Sequence, residues 1–368
     1  MKVMEVTNVD FSLKHFLVPL MRAIAAQGHE VVGVCADGPL LDGVRAEGLR
    51  VVPVPMARSL SPVAQWRAFR ALLTLIRTER PDLVHAHMPI SGFLARVAAR
   101  VAGVPRVAYT CHGFLFNQPG PLWRRALALA MEWVGGRLTD VTLTVSEEEA
   151  ADARRLHIAS GATAVRNGRD ATEFHPNPTA RARIRTELGV DSARCVVVIV
   201  SRLVRHKGHP ELLAAMESVD ADLWVVGERL DSDRGEDIGA LLERSPLGPR
   251  LRVLGARTDV ADILAAADIF ALPSHFEGLP MSVIEAMLTS LPVIATSIRG
   301  PREQVITGHT GLLVPPRTVQ PLIAALTLLV TDPGLRNRMG QAGRERALLL
   351  YVEGAIISRT LDLLGLFR

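Results

Sequence analysis

The chain predicts an α/β protein of two domains, each a parallel sheet covered by helices, the two facing one another across a cleft. Three observations predict it. At 368 residues, 48% of them hydrophobic, the chain is too long for one ordinary core and comfortable for two. Short apolar runs alternate with helix-period patterns from end to end, the signature of strand-helix-strand units. Between the two series of runs, the stretch NGRDATEFHPNP at 167–178 is rich in turn formers and closes on two prolines, which places a boundary near residue 180. We therefore expect a first domain over 1–180 and a second over 181–350, both Rossmann-like, with ligands taken up at the carboxyl ends of the strands.

In the first half the strand runs fall at 3–6, 30–35, 49–54, 82–85, 107–109 and 141–145. Between the first two, Leu13, Phe16, Leu17, Leu20, Met21 and Ile24 follow helical spacing and predict a helix over 12–27, with Ser12 as its N-cap and a kink at Pro19. Segment 62–80 sets Trp66, Phe69, Leu72, Leu73 and Ile76 on one side with arginines about it; segment 121–134 sets Trp123 and Trp133 on either side of Arg124 and Arg125. Each reads either as a crossover helix of the first domain or as a face that lies on an anionic membrane. The second series begins with the buried-strand run CVVVIV at 195–200 and continues at 223–226, 251–254, 269–272 and 293–295.

Composition narrows the function. The net charge of +4 lies wholly in the first half: residues 1–180 hold 20 Lys+Arg against 16 Asp+Glu, and residues 181–368 hold 22 of each. Only 4% of residues are aromatic and no basic block is interleaved with them, so nucleic acid is not an expected partner. No run approaches the roughly 20 apolar residues that cross a bilayer. Cys35, Cys111 and Cys195 lie far apart with neither disulfide nor metal-ligand spacing, which points to a reducing, cytoplasmic compartment. His85 and His87, two apart on one face of a strand, have no third ligand near them in sequence, so we expect a structural or site-edge role rather than a metal.

Residues 274–287 read SHFEGLPMSVIEAM. Pro280 opens a helix at no cost, because that N–H would lack a helical partner anyway. Gly278 leaves room for ligand oxygens to approach the backbone. The free N–H groups of Leu279, Met281 and Ser282, with the helix dipole, suit a diphosphate. Glu285, one turn further on, can accept two hydrogen bonds from the vicinal diol of a ribose. The alternative is a solvated loop acid at Glu277 and an ordinary surface acid at Glu285. After CVVVIV, Arg202 and Lys207 occupy another strand-to-helix loop of the same domain; arginine clamps phosphate with a planar fork and lysine adds a compact charge. The loop is not a P-loop. Taken together, the two loops describe a nucleoside-diphosphate site.

These residues carry a resemblance. Ser201-Arg202-Leu203 with Lys207-Gly208, then Glu277-Gly278-Leu279-Pro280 and Glu285-Ala286, then Thr310-Gly311-Leu312-Leu313-Val314 resemble the retaining glycosyltransferases of family 4, which have the GT-B architecture. In the first half, His85-Ala86-His87, Cys111-His112-Gly113-Phe114, Ser146-Glu147, Asn167-Gly168 and Phe174-His175-Pro176 fall where that family has similar residues, in the same order. The resemblance implies that Arg202 and Lys207 bind the donor diphosphate and stabilise it as it leaves. It implies that Glu285 holds the ribose, that Glu277 meets the transferred sugar, and that backbone from Gly278 through Leu279 and Pro280 to Met281 meets phosphate. Arg257 and Thr258 would border the base, and His112 would reach the donor sugar from the first domain. No metal or other cofactor is implied. The apolar stretch 351–368 would cross back to brace the first domain.

One departure stands out. Many relatives carry a Gly-Gly pair after the first strand, where this chain has Asn8-Val9-Asp10-Phe11-Ser12. Asn8, Asp10 and Ser12, in a loop built differently from that of Gly-Gly members, are the acceptor-side candidates, together with His85. Some bacterial surface-polysaccharide enzymes of the family resemble this form. The expected function is transfer of a sugar from a nucleoside-diphosphate-sugar, UDP before GDP, to a polyprenyl-diphosphate-linked saccharide at the inner face of the membrane. The alternatives are a soluble small-molecule acceptor, a nucleotide-sugar epimerase of the same architecture, or a non-catalytic nucleotide-sugar-binding subunit. A dinucleotide-dependent oxidoreductase is disfavoured, because the first strand lacks the G-x-G-x-x-G turn.

Overall fold

The computed structural model describes residues 1–56, 61–229, 233 and 237–367. The chain divides into two compact units, Met1–Arg166 with Ala355–Arg368, and Asn167–Gly354. The division falls before the turn-rich stretch rather than after it, so residues 167–178 belong to the second unit and not to the first. Their backbone is held there: Arg169 N–H donates to the Tyr351 carbonyl at 2.9 Å and Glu353 N–H to the Arg169 carbonyl at 3.0 Å.

Unit 1 is a seven-stranded sheet of β1 (Lys2–Val6), β2 (Glu30–Cys35), β3 (Arg50–Pro53), β4 (Leu83–His87), β5 (Arg106–Cys111), β6 (Val141–Thr144) and β7 (Thr163–Ala164), in the order β3-β2-β1-β4-β5-β6-β7. Every pairing is parallel. Two cores fill its faces. Met4, Val6, Val84, Ala86, Val107 and Tyr109 point to one. Val3, Leu83 and Ala108 point to the other, under helix Val18–Ala26 and the chain's last helix, Glu353–Leu363. Glu5, His85, His87 and Thr110 alternate onto this second face, because strand side chains repeat with period two. The final segment is stitched to unit 1 by Leu361, Leu364 and Leu366 in this core and by Arg106 Nη1, which donates to the Leu364 carbonyl at 2.7 Å.

The first helix corrects the sequence reading. Helical backbone begins at Asp10, after Val9 in extended conformation, so Ser12 is inside the helix, buried, and caps nothing. Leu13–Leu17 form a π-helical turn before Val18–Ala26. The π turn lies just ahead of Pro19: the proline has no N–H to return to the preceding turn, and a widened turn avoids the clash of its ring.

Unit 2 is a six-stranded sheet of β8 (Val196–Val200), β9 (Asp222–Val226), β10 (Leu251–Gly255), β11 (Ile269–Leu272), β12 (Val293–Thr296) and β13 (Gly311–Val314), ordered β10-β9-β8-β11-β12-β13 and again all parallel. In each unit the strand order reverses once, between β1 and β4 and between β8 and β11. A crevice opens beyond the carboxyl ends of the strands at such a point. Among the described residues no helix is long and apolar enough to cross a membrane.

Candidate active site

In unit 2 the residues picked out from the sequence gather at the β8/β11 reversal. Gly208 has φ +81°, and a Cβ there would collide with the Pro273 carbonyl, so only glycine lets the turn after β8 lie against the end of β11. His275 N–H donates to the His206 carbonyl at 2.7 Å, and the His206 ring stacks on Phe276 at 4.5 Å, which ties the two loops together. That tie brings Lys207 Nζ to 2.7 Å from Glu277 Oε1. The same oxygen accepts from the Oγ of buried Ser274 at 2.7 Å. Arg202 pairs with Asp233.

Helix Met281–Leu288 starts after Pro280 in extended backbone, with no side-chain cap for its first N–H groups. The carbonyls beside them are spoken for: Leu279 O accepts from Asn167 Nδ2 at 2.7 Å and Pro280 O from Gln304 Nε2 at 2.9 Å. Gly300 also has positive φ, and a Cβ there would strike the Gly278 carbonyl, so its absence lets the 297–301 segment cover the Gly278 backbone. Glu285 is only 6% exposed and pairs with Arg169 Nε at 2.6 Å. Near them, burial pushes the Glu173 carboxyl up, with Arg169 opposing and Glu285 adding to the shift. Arg257 lies in the loop after β10, its guanidinium held by Asp259 at 2.7 and 2.8 Å and by Glu187 at 3.0 Å, and Thr258 beside it is exposed.

Unit 1 has its own cluster, at the β1/β4 reversal. Sheet register sets Glu5 opposite His85, and His87 opposite Thr110. His85 Nδ1 lies 3.1 Å from Glu5 Oε1 and 3.0 Å from Oε2, and its Nε2 is 2.8 Å from Thr110 Oγ1. His87 Nε2 is 2.7 Å from Glu5 Oε2, and His87 Nδ1 is 3.1 Å from Nε2 of His112, the residue that follows β5. Glu5 and His85 are 0% exposed and His87 2%, whereas His112 is partly exposed. The two histidines hold the Glu5 carboxyl down to about 2 against the opposing effect of burial. Burial and the charge of His85 bring His87 down to about 4. Burial and the two neighbouring imidazoles hold His112 well below the usual histidine range.

The acceptor-side candidates scatter. His85 is wholly buried behind this cluster, so it meets no acceptor directly. Asp10 organises its own loop, accepting from Phe11 N–H at 2.7 Å and Leu40 N–H at 3.2 Å. Asn8 has a buried, unpartnered Oδ1 and borders a cavity of about 180 Å³ with Met56, Met88, Ile90, Leu94 and Leu115. Glu5, Asp233 and Arg169 were not anticipated. Glu5 had a signal: a lone carboxylate inside the apolar run KVMEV, matched by two histidines at strand spacing. Asp233 and Arg169 had none, because each meets its partner only through the tertiary fold.

Glu5, His85 and His87 offer ligand atoms within 4.8 Å of one another, the donor set of a metal site. Their nitrogens and oxygens are nevertheless already matched as hydrogen-bond donors and acceptors.

Known proteins place this geometry. A family model described as "Glycosyltransferase Family 4" matches residues 15–173, and one described as "Glycosyl transferases group 1" matches residues 180–346. The chain is 29% identical over 328 residues to an Escherichia coli UDP-Gal:alpha-D-GlcNAc-diphosphoundecaprenol alpha-1,3-galactosyltransferase, covering 85% of this chain and 83% of that protein. It is 31% identical over 268 residues to a Mycolicibacterium smegmatis GDP-mannose-dependent alpha-(1-6)-phosphatidylinositol monomannoside mannosyltransferase, covering 68% of this chain and 67% of that protein. Among solved structures, Anabaena HepE in complex with UDP superposes with a TM-score of 0.84 at 20% identity, over 99% of this chain and 100% of that one. The two family models leave little of the chain unmatched, and with a Rossmann-like sheet in each unit the protein belongs to the family 4, group 1 glycosyltransferases of GT-B architecture.

Proposed function

We propose that this glycosyltransferase moves a hexosyl or N-acetylhexosaminyl group from a UDP-sugar to a hydroxyl of a lipid-linked saccharide in bacterial surface-polysaccharide synthesis, with retention at the anomeric carbon and without a metal. One observation carries the reading: Arg202, Lys207, Glu277 and the uncapped start of helix Met281–Leu288 converge at one strand-order reversal, with Glu285 on the same helix. Charge builds on the diphosphate as it leaves, so cations and N–H groups already aimed there are the main catalytic contribution. Lys207 and Arg202 take the role a divalent ion would otherwise fill. Glu285 receives the ribose hydroxyls, Glu277 meets the sugar, and Arg257 and Thr258 border the base. The leaving phosphate accepts the acceptor's proton as attack occurs on the same face.

The E. coli relative's UDP-Gal and diphosphoundecaprenol-linked substrate support UDP and a lipid-linked acceptor; the mannosyltransferase keeps GDP as the alternative base. Unit 1 supports a membrane-surface setting. Helix Leu122–Arg137 exposes Leu122 (78%), Trp123 (61%), Leu127, Trp133 and Val134, with Arg124 over Trp123 and Arg137 over Trp133. A helix that leaves its tryptophans and leucines in water beside arginines suits an anionic interface. Helix Pro62–Glu79 adds exposed Val63 and Trp66.

Thermal unfolding with a panel of nucleoside diphosphates and nucleotide-sugars tests the donor site. A shift for one base, lost in both Glu285→Ala and Lys207→Ala, is the expected result and names the donor. No shift at millimolar concentration of any nucleotide would sink the transferase assignment of this site.

A further inference from the structure

We propose that Glu5 and His87 are positioning residues that lock His112 in one tautomer, so that its bare Nδ1 accepts a hydrogen bond from a sugar hydroxyl. The last clause rests on the transferase reading; the lock does not.

The argument is an inventory of protons. Glu5 is ionised near neutral pH and can only accept. At 2.7 Å from its Oε2, His87 Nε2 must therefore carry the proton. His87 is neutral at that pH, so its second nitrogen, Nδ1, is a lone pair. His112 Nε2, 3.1 Å away, must then be the donor. Neutral itself, His112 is left with its lone pair on Nδ1. Among the described residues that atom has no hydrogen-bond partner, and the residue is partly exposed.

The rest of the cluster removes the alternatives. His85 Nδ1 donates across both oxygens of Glu5, so the carboxylate cannot turn away from His87 without breaking two bonds. Thr110 Oγ1 engages the far nitrogen of His85, and Phe16 lies against the His112 ring at 5.9 Å between centroids. Each nitrogen of His85 and His87 is engaged, and the chain ends at one open acceptor. A site built this way selects a ligand that offers O–H, and rejects an analogue with hydrogen or fluorine in its place.

The test reads the tautomer directly. In protein labelled with ¹⁵N-histidine, long-range proton–nitrogen correlation, assigned with His112→Gln, should show His112 protonated on Nε2 alone at pH 7. Glu5→Gln keeps the size but replaces an acceptor with a donor, and should convert His112 to a mixed or Nδ1-protonated pattern. Thr110→Val, which removes only the hydroxyl that engages His85, should leave the His112 signals in place. With nucleotide-sugar and acceptor, Glu5→Gln should lower kcat about ten- to hundredfold while KM for the donor changes less. An Nδ1–H or doubly protonated His112 in the unaltered protein would overturn the proposal. So would an unchanged pattern in folded Glu5→Gln, or stoichiometric zinc in the purified protein that Glu5→Gln removes. Failure of nucleotide binding would end the transferase reading and leave the tautomer result standing.

Discussion

The two units place ionisable groups at the same point of their folds and handle them in opposite ways. At the β1/β4 reversal, Glu5, His85 and His87 are sealed from water and satisfy one another. At the β8/β11 reversal, Lys207 and Glu277 form a pair that solvent reaches, and Arg202 is likewise partly exposed. A sealed network cannot trade its partners without a large desolvation cost, so it holds charge and tautomer fixed. A cation–carboxylate pair that solvent partly reaches can exchange the carboxylate for a phosphate at a smaller cost than a sealed one. The difference separates groups whose state the fold fixes from groups free to change partners.

The largest expected effect breaks a sealed pair. In unit 1, Arg96 is 0% exposed and donates to Glu132 at 2.9 Å, with the Tyr109 ring 3.8 Å below its guanidinium and the Tyr109 hydroxyl also donating to Glu132 at 3.0 Å. Glu132→Ala would leave that guanidinium buried and uncompensated, at a cost of about 3–5 kcal/mol in urea unfolding. Glu277→Ala in unit 2 should cost clearly less. If the two losses match, the open pair is structural and the comparison fails.

Next comes a loss of rate without loss of fold. If Lys207 stabilises the leaving diphosphate as proposed, Lys207→Met should lower kcat on the order of 10²–10³-fold with unfolding little changed. A kcat within threefold of the unaltered enzyme would show that Lys207 is not spent on the transition state.

Acid gives the smallest effect near neutrality and sharpens the comparison further. Burial holds His87 in unit 1, and His206 and His209 in unit 2, down to about 4. The unfolded chain takes up these protons from about pH 6.5. Stability present above pH 6.5 is therefore lost in both units as pH falls towards 4. A second phase follows at lower pH, in unit 2 through Asp170, held down by Thr172, and Asp259, held down by Arg257, and more deeply in unit 1. Glu5, held to about 2 by its histidines, and Glu79, held to about 2 by Arg50 and Lys2, contribute stability that is whole above about pH 4.5 and lost as pH falls to 2. Hydrogen exchange of peptides from each sheet, followed from pH 7 to 3, should show both units loosening first and unit 1 loosening more than unit 2 below pH 4.5. Parallel loss in the two units throughout would remove Glu5 as a source of acid sensitivity.

Much of this was legible in the amino-acid order. Eleven strands announced themselves, because a parallel strand covered on both faces reads as a near-continuous apolar run. The missed strands, β7 and β13, are short: Thr163–Ala164 has two residues, too few for a run, and Gly311–Val314 opens on glycine. Lys207 and Glu277 stood out because charged residues in strand-end loops beside glycine have few structural uses, and Glu285 because it is a carboxylate inside an otherwise apolar helix pattern. Ser12 was misread as a cap because the helix gains a π turn ahead of Pro19, which no spacing rule anticipates.

By itself, then, the sequence determined the class of fold and the family, and it singled out the two strand-end loops that meet at the β8/β11 reversal, since these follow from local pattern: apolar period, turn chemistry and short motifs. Only the tertiary structure decided the partners. Glu5 meets His85 because β1 pairs with β4 across 80 positions of chain, and Arg169 meets Glu285 across 116. The proton on His112 is set by a carboxylate on a different strand. Charge and tautomer depend on what lies within about 3 Å in space, and only the folded sheet brings those atoms together.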